Sequence, residues 1–258
     1  RAPHALIDLI EPWESYSVSR FLLNVKTEIN RVHASGGVPL LVGGTMMYFQ
    51  AIWKGISNLP ESEPQTRQRL EQEMATDGLA SLYQRLRVID PQAALRIDAN
   101  DRQRILRALE VYELSGQPLS QLQNRRARGF DHDFYNIGLF PQDRTQLHAN
   151  IKERFKIMLA CGFINEVEKL LEEPQMSAEV PSMRCVGYRQ ACGHLHGQYT
   201  IDEMSDKAIA ATRQLAKRQI TWMRKMDNVN MYDPAVSIKD LMADERFTHW
   251  LNAQPRNL

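Results

Sequence analysis

The segment AIAATRQLAKRQITWMRKM, residues 208–226, carries five cations from Arg213 to Lys225 and no acid. On a helix, Arg213, Lys217 and Arg224 fall on roughly one side, and apolar residues fall on another. Helical surfaces usually interleave acids and bases, because like charges four residues apart repel each other. The segment therefore predicts an amphipathic helix whose basic side faces an anion, and phosphate fits best. A solvated basic surface is the alternative.

A second basic cluster, NDRQRILRALE, spans residues 100–110. Asn100 is a suitable N-cap for a helix that carries Gln103, Arg104 and Arg107. Gln103 and Arg107 are one turn apart, so an amide that can recognise a base edge lies beside a guanidinium that can bind phosphate. The alternative interpretation is an ordinary surface helix with a core stripe of leucines.

A third cluster, MRCVGYR, spans residues 183–189 and brackets a glycine with arginines. Arg184, Gly187, Tyr188 and Arg189 combine positive charge with an aromatic ring. That combination on a loop suits an unpaired base and its backbone. Alone, the pattern is a weak indication of RNA binding.

Two single residues are further candidates for contact with a ligand. In VGGTMMYF, residues 42–49, the glycines let a ligand approach the backbone, and Thr45 is either a helix N-cap or a ligand contact. Arg154 lies beside an apolar row on a predicted helix, so its guanidinium either extends to solvent or pairs with a buried group. A nucleotide-binding loop of the form GxxxxGK[ST] is not found in the sequence. His194 and His196 are two residues apart, which does not favour a metal site.

Apolar runs bounded by turn residues predict the strands of an α/β protein. VPLLVGG, residues 38–44, has the pattern of a buried strand in a parallel sheet. Weaker strand candidates are residues 5–10, 135–140 and 228–233. Ser17 or Ser19 can cap a helix that ends near Ser35 and leads into the first of these strands. The unit of helix, strand and helix is typical of α/β architecture.

Residues 59–132 differ from the rest of the chain. They contain no credible strand and show amphipathic helical periods separated by glycine, proline and asparagine. We interpret them as an all-helical insertion domain between two parts of a core, residues 1–58 and 133–258. Long helices are expected in the second part at about 143–160, 162–173 and 201–226.

Composition limits the class of protein. The chain has 258 residues, 43% of them hydrophobic, and 32 Lys and Arg against 31 Asp and Glu, so any positive field is local. Three cysteines without a CxxC pair favour a reducing compartment over a disulfide framework. No leader and no apolar run long enough for a membrane span are found, so a cytoplasmic protein is expected.

Five segments in order resemble the bacterial tRNA dimethylallyltransferase (tRNA isopentenyltransferase) family from about Pro3 to Met226. They are PHALIDLIEPWESYSVSRF, VPLLVGGTMMYFQAI, DANDRQRILRALEVYELSG, MRCVGYRQ and ATRQLAKRQITWMR. The resemblance implies a P-loop-type parallel-sheet core with a helical insertion. It also implies transfer of a dimethylallyl group from dimethylallyl diphosphate to N6 of adenosine 37 in tRNA, with release of diphosphate. A channel would admit the base from one side and the prenyl donor from the other.

The resemblance also implies roles for individual residues. Thr45 and Arg154 are assigned to the catalytic site, and Arg154 and Arg213 to binding diphosphate. The anticodon stem-loop is assigned to the remaining candidates: Gln103, Arg104, Arg107, Arg184, Gly187, Tyr188, Arg189, Lys217, Arg218 and Arg224. A monomer is expected.

In family members a phosphate loop and an Asp-Ser-x-Gln segment with the general-base aspartate precede the Pro-His motif, at which this sequence starts. The Mg²⁺ ligands are expected in that preceding segment, and no metal ligand is assigned here. Turnover is not expected from these residues alone. Two other functions stay open: a non-catalytic RNA-binding protein, and an isopentenyltransferase that acts on free adenine nucleotide.

Overall fold

Residues 2–124 and 129–254 are described in the computed structural model. They divide into two units. Unit 1 combines Arg1–Tyr48 with His132–Leu258, and unit 2 is Phe49–Asp131. Every described candidate residue therefore belongs to unit 1, except Gln103, Arg104 and Arg107 of unit 2.

The first helix follows the sequence prediction closely. Helix α1 spans Val18–Ala34, and the Ser17 side chain caps it by accepting a hydrogen bond from the Arg20 backbone N–H. Ser35 is its C-cap, which agrees with the predicted end near Ser35. Helix α2, Met46–Lys54, begins directly after Thr45.

The strand predicted for residues 38–44 is wrong. The segment is not paired in a sheet, and Leu40 and Val42 expose 80% and 85% of their surface. An apolar run becomes a strand only where a neighbouring strand takes up its backbone hydrogen bonds. Residues 5–10 are also not a strand, because Leu6 and Asp8 adopt left-handed conformations, with φ of 62° and 54°, which bend the chain.

Unit 2 is helical in its described part. Helix α3 spans Pro64–Ile89 with a break at Gly78, where φ is 81°. It is followed by α4 (Pro91–Ala94), α5 (Arg102–Ser115) and α6 (Leu119–Gln123). Helices α3 and α5 pack against each other around a leucine-rich core. Its fully buried side chains include Leu70, Leu82, Leu86, Ile105, Leu106 and Leu109.

Two short parallel strands form the described sheet of unit 1. Strand β1 spans Asn136–Leu139, and β2, which lies far later in the chain, spans Val229–Tyr232. The strands pair in register from Asn136 opposite Val229 to Leu139 opposite Tyr232. Both strand predictions are confirmed, and the small parallel sheet among many helices confirms the α/β class.

The helices between the strands build the second core. They are α7 (Arg144–Ala160), α8 (Phe163–Leu171), α9 (Tyr188–Leu195) and α10 (Ile201–Met223). Helix α10 packs against α7 and α9, and α8 packs against α7 and α9. Their shared core includes Phe155, Phe163, Val167, Met183, Ala191, Met204 and Ala208. Helices α11 (Ile238–Ala243) and α12 (Glu245–Ala253) follow β2.

Candidate functional site

Helix α10 separates its charges along its length. Thr200 and Glu203 form a capping box at the N-terminus, where Asp202 and Glu203 place negative charge. The second half carries exposed Lys217 and Arg218, which form no ion pair with any residue in the described ranges. Positive charge on this half is therefore not neutralised within the described structure. This is the arrangement expected for a surface that binds an anion.

Arg224 lies at the C-terminal end of α10, above the ring of Phe140. Its guanidinium carbon is 5.1 Å from the ring centroid, within the range of a cation–π contact. Such a contact restrains the side chain while leaving its charge uncompensated. Arg224 is therefore an exposed cation held in one place beside the sheet.

Arg213 is half-buried, and its Nε atom has no hydrogen-bond partner among the described residues. It also forms no ion pair with them. A buried N–H group without an acceptor costs about 1–3 kcal/mol. The Arg213 guanidinium is therefore suited to an external anion.

The glycine loop before α2 is attached to the basic helix. The Gln219 side chain donates a hydrogen bond from Nε2 to the Gly44 carbonyl oxygen, over 2.9 Å. A Cβ atom built on Gly44 would collide with the same Nε2. Thr45, the next residue, is exposed and directly precedes α2. Gln219 therefore fixes the backbone on which Thr45 lies.

The segment at residues 184–189 packs onto the core through its aromatic residue. Gly187 has φ of 96°, which disfavours other residues, and its N–H donates to Gln190 Oε1 over 2.9 Å. The Tyr188 ring meets Phe163 edge-on at 5.3 Å, and its hydroxyl donates a hydrogen bond to Glu166. Burial and the nearby carboxylate raise the pKa of Tyr188 to about 12. The ring is thus held in place at the start of α9.

The two arginines that flank this tyrosine are exposed. Arg184 and Arg189 form neither an ion pair nor a side-chain hydrogen bond with the part of the chain that the structure describes. A partly buried ring between two uncompensated cations is the combination expected for contact with a base and its phosphates. The geometry is compatible with the predicted role, which stays a prediction.

Arg154 lies on α7 next to the buried Phe155. Its side chain is exposed and pairs with no acid in residues 2–124 or 129–254, so it is not neutralised by a buried partner. Helix α7 packs against α10. Both residues assigned to diphosphate by the resemblance, Arg154 and Arg213, therefore belong to one helix pair and carry uncompensated charge.

The second basic cluster, residues 100–110, differs from these cations because acids of its own unit largely neutralise its charge. Its helix is capped by Asp101, not Asn100, because the Asp101 carboxylate accepts from the Arg104 N–H. Arg104 is 3.3 Å from Asp101, and Arg107 is 2.8 Å from the fully buried Glu110.

Arg107 also donates a hydrogen bond to the Pro60 carbonyl oxygen over 2.6 Å, so its guanidinium group is engaged in contacts within unit 2. Gln103 is exposed. The charge of this cluster is thus largely neutralised inside its own unit, and the predicted contact of Gln103, Arg104 and Arg107 with tRNA stays a prediction.

The candidate cations of the two units therefore differ in whether nearby acids neutralise their charge. In unit 2, cations on α3 and α5 pair with acids of the same helices; these cations are Arg67, Arg69, Arg85, Arg102, Arg104 and Arg107. In unit 1, the candidate cations of α7, α9 and α10 have no such acids in the described residues. This distribution of positive charge suits a polyanion such as a chain of phosphates.

Gln219 is a site residue that the sequence interpretation missed. Its partner lies 175 residues earlier, and nothing in the local pattern of α10 indicates the contact. Lys217 and Arg218, the two residues before it, are candidates because of their charge, whereas the amide of Gln219 gives no such signal.

The fold is found in known structures. A tRNA isopentenylpyrophosphate transferase from Bacillus halodurans is 31% identical with a TM-score of 0.60, and the match covers 97% of this chain and 76% of that chain. A eukaryotic dimethylallyltransferase described as acting on tRNA has a TM-score of 0.77 at 23% identity, covering 99% of this chain and 67% of that one. The fold is thus the α/β fold of tRNA isopentenyltransferase structures.

The family model "IPP transferase" matches residues 1–226. The tRNA dimethylallyltransferase of Legionella pneumophila strain Philadelphia 1 is 48% identical over 233 residues, which are 90% of this chain and 74% of the relative. That of Alkalilimnicola ehrlichii is 47% identical over 230 residues, 89% and 73% of the two chains. The chain belongs to the IPP transferase family, which confirms the predicted resemblance and the class of enzyme, a prenyltransferase.

In the described ranges, no helix has both the length and the apolar character needed to cross a lipid bilayer.

Proposed function

We propose that the protein transfers a dimethylallyl group from dimethylallyl diphosphate to N6 of adenosine 37 in tRNA. Family membership gives the class of reaction. The observation that supports tRNA as the substrate is the uncompensated positive charge of the candidate cations on α7, α9 and α10, since the candidates Arg104 and Arg107 of α5 are paired with acids. A polyanion is the ligand that such a surface fits.

The relatives support the same substrate. Those from Legionella pneumophila and Alkalilimnicola ehrlichii are named for tRNA and for the dimethylallyl group. Chemistry on a base requires that the base leave its stack, which costs a few kcal/mol. The held ring of Tyr188, between Arg184 and Arg189, supplies a place where an extruded or neighbouring base can stack.

In the proposed reaction the N6 atom attacks C1 of the dimethylallyl group while the bond from C1 to the diphosphate oxygen breaks. The bonding electrons leave with diphosphate, and N6 gives up a proton to a base. Catalysis then consists mostly of holding the two reactants together and of stabilising the charge on the leaving oxygens. Arg154 and Arg213 are assigned to this charge, because each carries a guanidinium without an acidic partner in the described structure.

The other cations are assigned to the RNA. Lys217 and Arg218 on α10 and Arg224 at its C-terminal end are assigned to phosphates of the anticodon stem-loop, because they are exposed and pair with no acid in the described residues. Thr45 is assigned to the reacting adenosine, on a backbone that Gln219 holds at 2.9 Å. Gln103, Arg104 and Arg107 are retained from the family resemblance alone.

A divalent metal such as Mg²⁺ would neutralise diphosphate further. The described residues do not fit a resident metal site, since they contain no group of three or more His, Cys, Asp or Glu side chains that could hold an ion. No step of the proposed reaction is therefore assigned to a metal here.

The test is direct. Protein expressed from its complete reading frame is incubated with an anticodon stem-loop RNA and dimethylallyl diphosphate, and the RNA is digested and analysed by mass spectrometry. Dimethylallyl-adenosine at position 37 is expected. RNA binding without product would favour the non-catalytic RNA-binding protein. Inhibition by AMP, with AMP itself prenylated, would favour an enzyme of free nucleotides.

Two substitutions separate the assigned roles. Arg154→Ala should weaken use of dimethylallyl diphosphate, and Arg224→Ala should weaken RNA binding. A contact to a charged group is worth about 1.5–3 kcal/mol, which corresponds to about ten- to hundredfold in affinity. Arg31→Ala is the control, because Arg31 is exposed and already paired with Glu28 at 2.6 Å. Equal effects of the first two variants on both substrates would contradict the assignment.

A further inference from the structure

Helix α7 carries a row of basic side chains that the proposed function does not use. Arg144, His148 and Lys152 follow one another at four-residue intervals and are all exposed. Side chains at this spacing are neighbours on a helix surface. They therefore form one continuous basic ridge over two turns of the first half of α7.

No acid compensates this ridge. Between Arg144 and Lys152 the sequence has no Asp or Glu, and the three side chains form no ion pair or side-chain hydrogen bond within residues 2–124 and 129–254. Asp143 caps the helix by accepting from the Thr145 and Gln146 N–H groups. The charges of Arg144 and Lys152 are therefore not neutralised within the described residues, and an anion from outside them would stabilise the ridge.

The ridge lies at the same end of the helix pair as the cations of α10. Phe140, which lies under Arg224 at 5.1 Å, precedes Arg144 by only four residues. Four residues of chain reach at most about 14 Å. The start of α7 is thus close to the end of α10.

Phe155 of α7 and Ala208 and Ile209 of α10 belong to one buried hydrophobic cluster. The buried cluster therefore includes the second half of α7 and the first half of α10. The other halves carry exposed cations, Arg144 and Lys152 on α7 and Lys217 and Arg218 on α10.

We propose that Arg144, His148 and Lys152 bind phosphates of the same RNA strand that the α10 cations contact. The arginine and lysine supply charge, and the imidazole supplies a hydrogen-bond donor. The ridge extends the RNA-binding surface from one helix to two. This inference rests on the proposed function, since it assumes that RNA is the polyanion.

The experiment measures the salt dependence of binding of the complete protein to an anticodon stem-loop RNA. Each neutralised phosphate contributes about 0.7–0.9 to the magnitude of the slope of log affinity against log salt. Arg144→Gln with Lys152→Gln should therefore lower that magnitude by about 1.4–1.8. Both residues are exposed, so the unfolding midpoint should not change.

Lys156→Gln is the matched control, because it removes one charge from the same helix and Lys156 is already 3.6 Å from Glu153. Its effect on the slope should be clearly smaller. A wild-type slope in the Arg144 and Lys152 double variant, with a reduced slope in Lys217→Gln, would overturn the inference and leave the proposed function standing. RNA binding that does not respond to salt in the unmodified protein would overturn both.

Discussion

Replacing Gly44 by alanine tests the contact that joins the glycine loop to the basic helix. The new Cβ would collide with Gln219 Nε2, which is the far end of a flexible side chain. Gly44 does not have a positive φ, so alanine is compatible with the backbone itself. The Gln219 side chain should therefore move away and lose its 2.9 Å hydrogen bond to the Gly44 carbonyl oxygen.

The expected change in the free energy of unfolding follows from two opposing effects. A lost hydrogen bond costs about 0.5–1.5 kcal/mol, whereas replacing glycine by alanine restricts the unfolded chain and stabilises by about 0.4–1 kcal/mol. Gly44→Ala alone should therefore change the free energy of unfolding little. In a Gln219→Ala background the collision and the hydrogen bond are both absent, so Gly44→Ala should stabilise.

The assay is urea denaturation of the unmodified protein, both single variants and the double variant. The coupling energy between the two positions should be about 1 kcal/mol, above the roughly 0.3–0.5 kcal/mol within which independent sites add. Gln214→Ala is the control, because Gln214 lies on the same helix and is exposed. Additive effects of Gly44→Ala and Gln219→Ala would refute the contact.

Three further outcomes are expected. Arg107→Ala should lower the free energy of unfolding by about 3 kcal/mol, near the low end of the range for breaking a buried pair. The reason is that the buried Glu110 loses its cationic partner and keeps only its hydrogen bonds from Ser62 and the Glu63 N–H. Calorimetry or urea denaturation checks this, and an unchanged stability would show that Arg107 is free for another role. Because the pKa of Tyr188 is raised to about 12, the stability that its neutral form contributes should be present below pH 10 and lost towards pH 12. Tyr188→Phe should remove that loss and the tyrosine step near pH 12 in an ultraviolet titration, and an unchanged titration curve would count against the assignment. Leu109→Ala should cost about 2–5 kcal/mol, since Leu109 is fully buried, and should leave the salt slope of RNA binding unchanged.

The elements that the sequence predicted correctly are those fixed by neighbouring residues. The Ser17 cap and the apolar face of α1 lie within one short stretch, and the strands at 136–139 and 229–232 are bounded by local turn residues. The strand predicted at 38–44 failed because pairing depends on another segment, and the exposure of Leu40 and Val42 shows that no described strand covers it.

In the candidate site, too, the features that depend on local sequence were predicted and those that depend on tertiary contacts were missed. The basic side of α10 could be predicted, because it depends only on helical spacing and the absence of acids. The engagement of Arg107 by Glu110 was missed, since glutamate side chains are mostly exposed and the sequence does not show that Glu110 is buried. Asp101 and Asn100 are both good caps, and the choice between them depends on the path of the preceding loop.

The position of β2 affects where the protein can be divided. The family model matches residues 1–226, whereas β2 spans Val229–Tyr232 and is the neighbour of β1 in the described sheet. A polypeptide that stops where the family signature stops would leave β1, and the Phe140 that follows it, without the strand that orders them. The end of the family model and the end of the folded unit are therefore different in this protein.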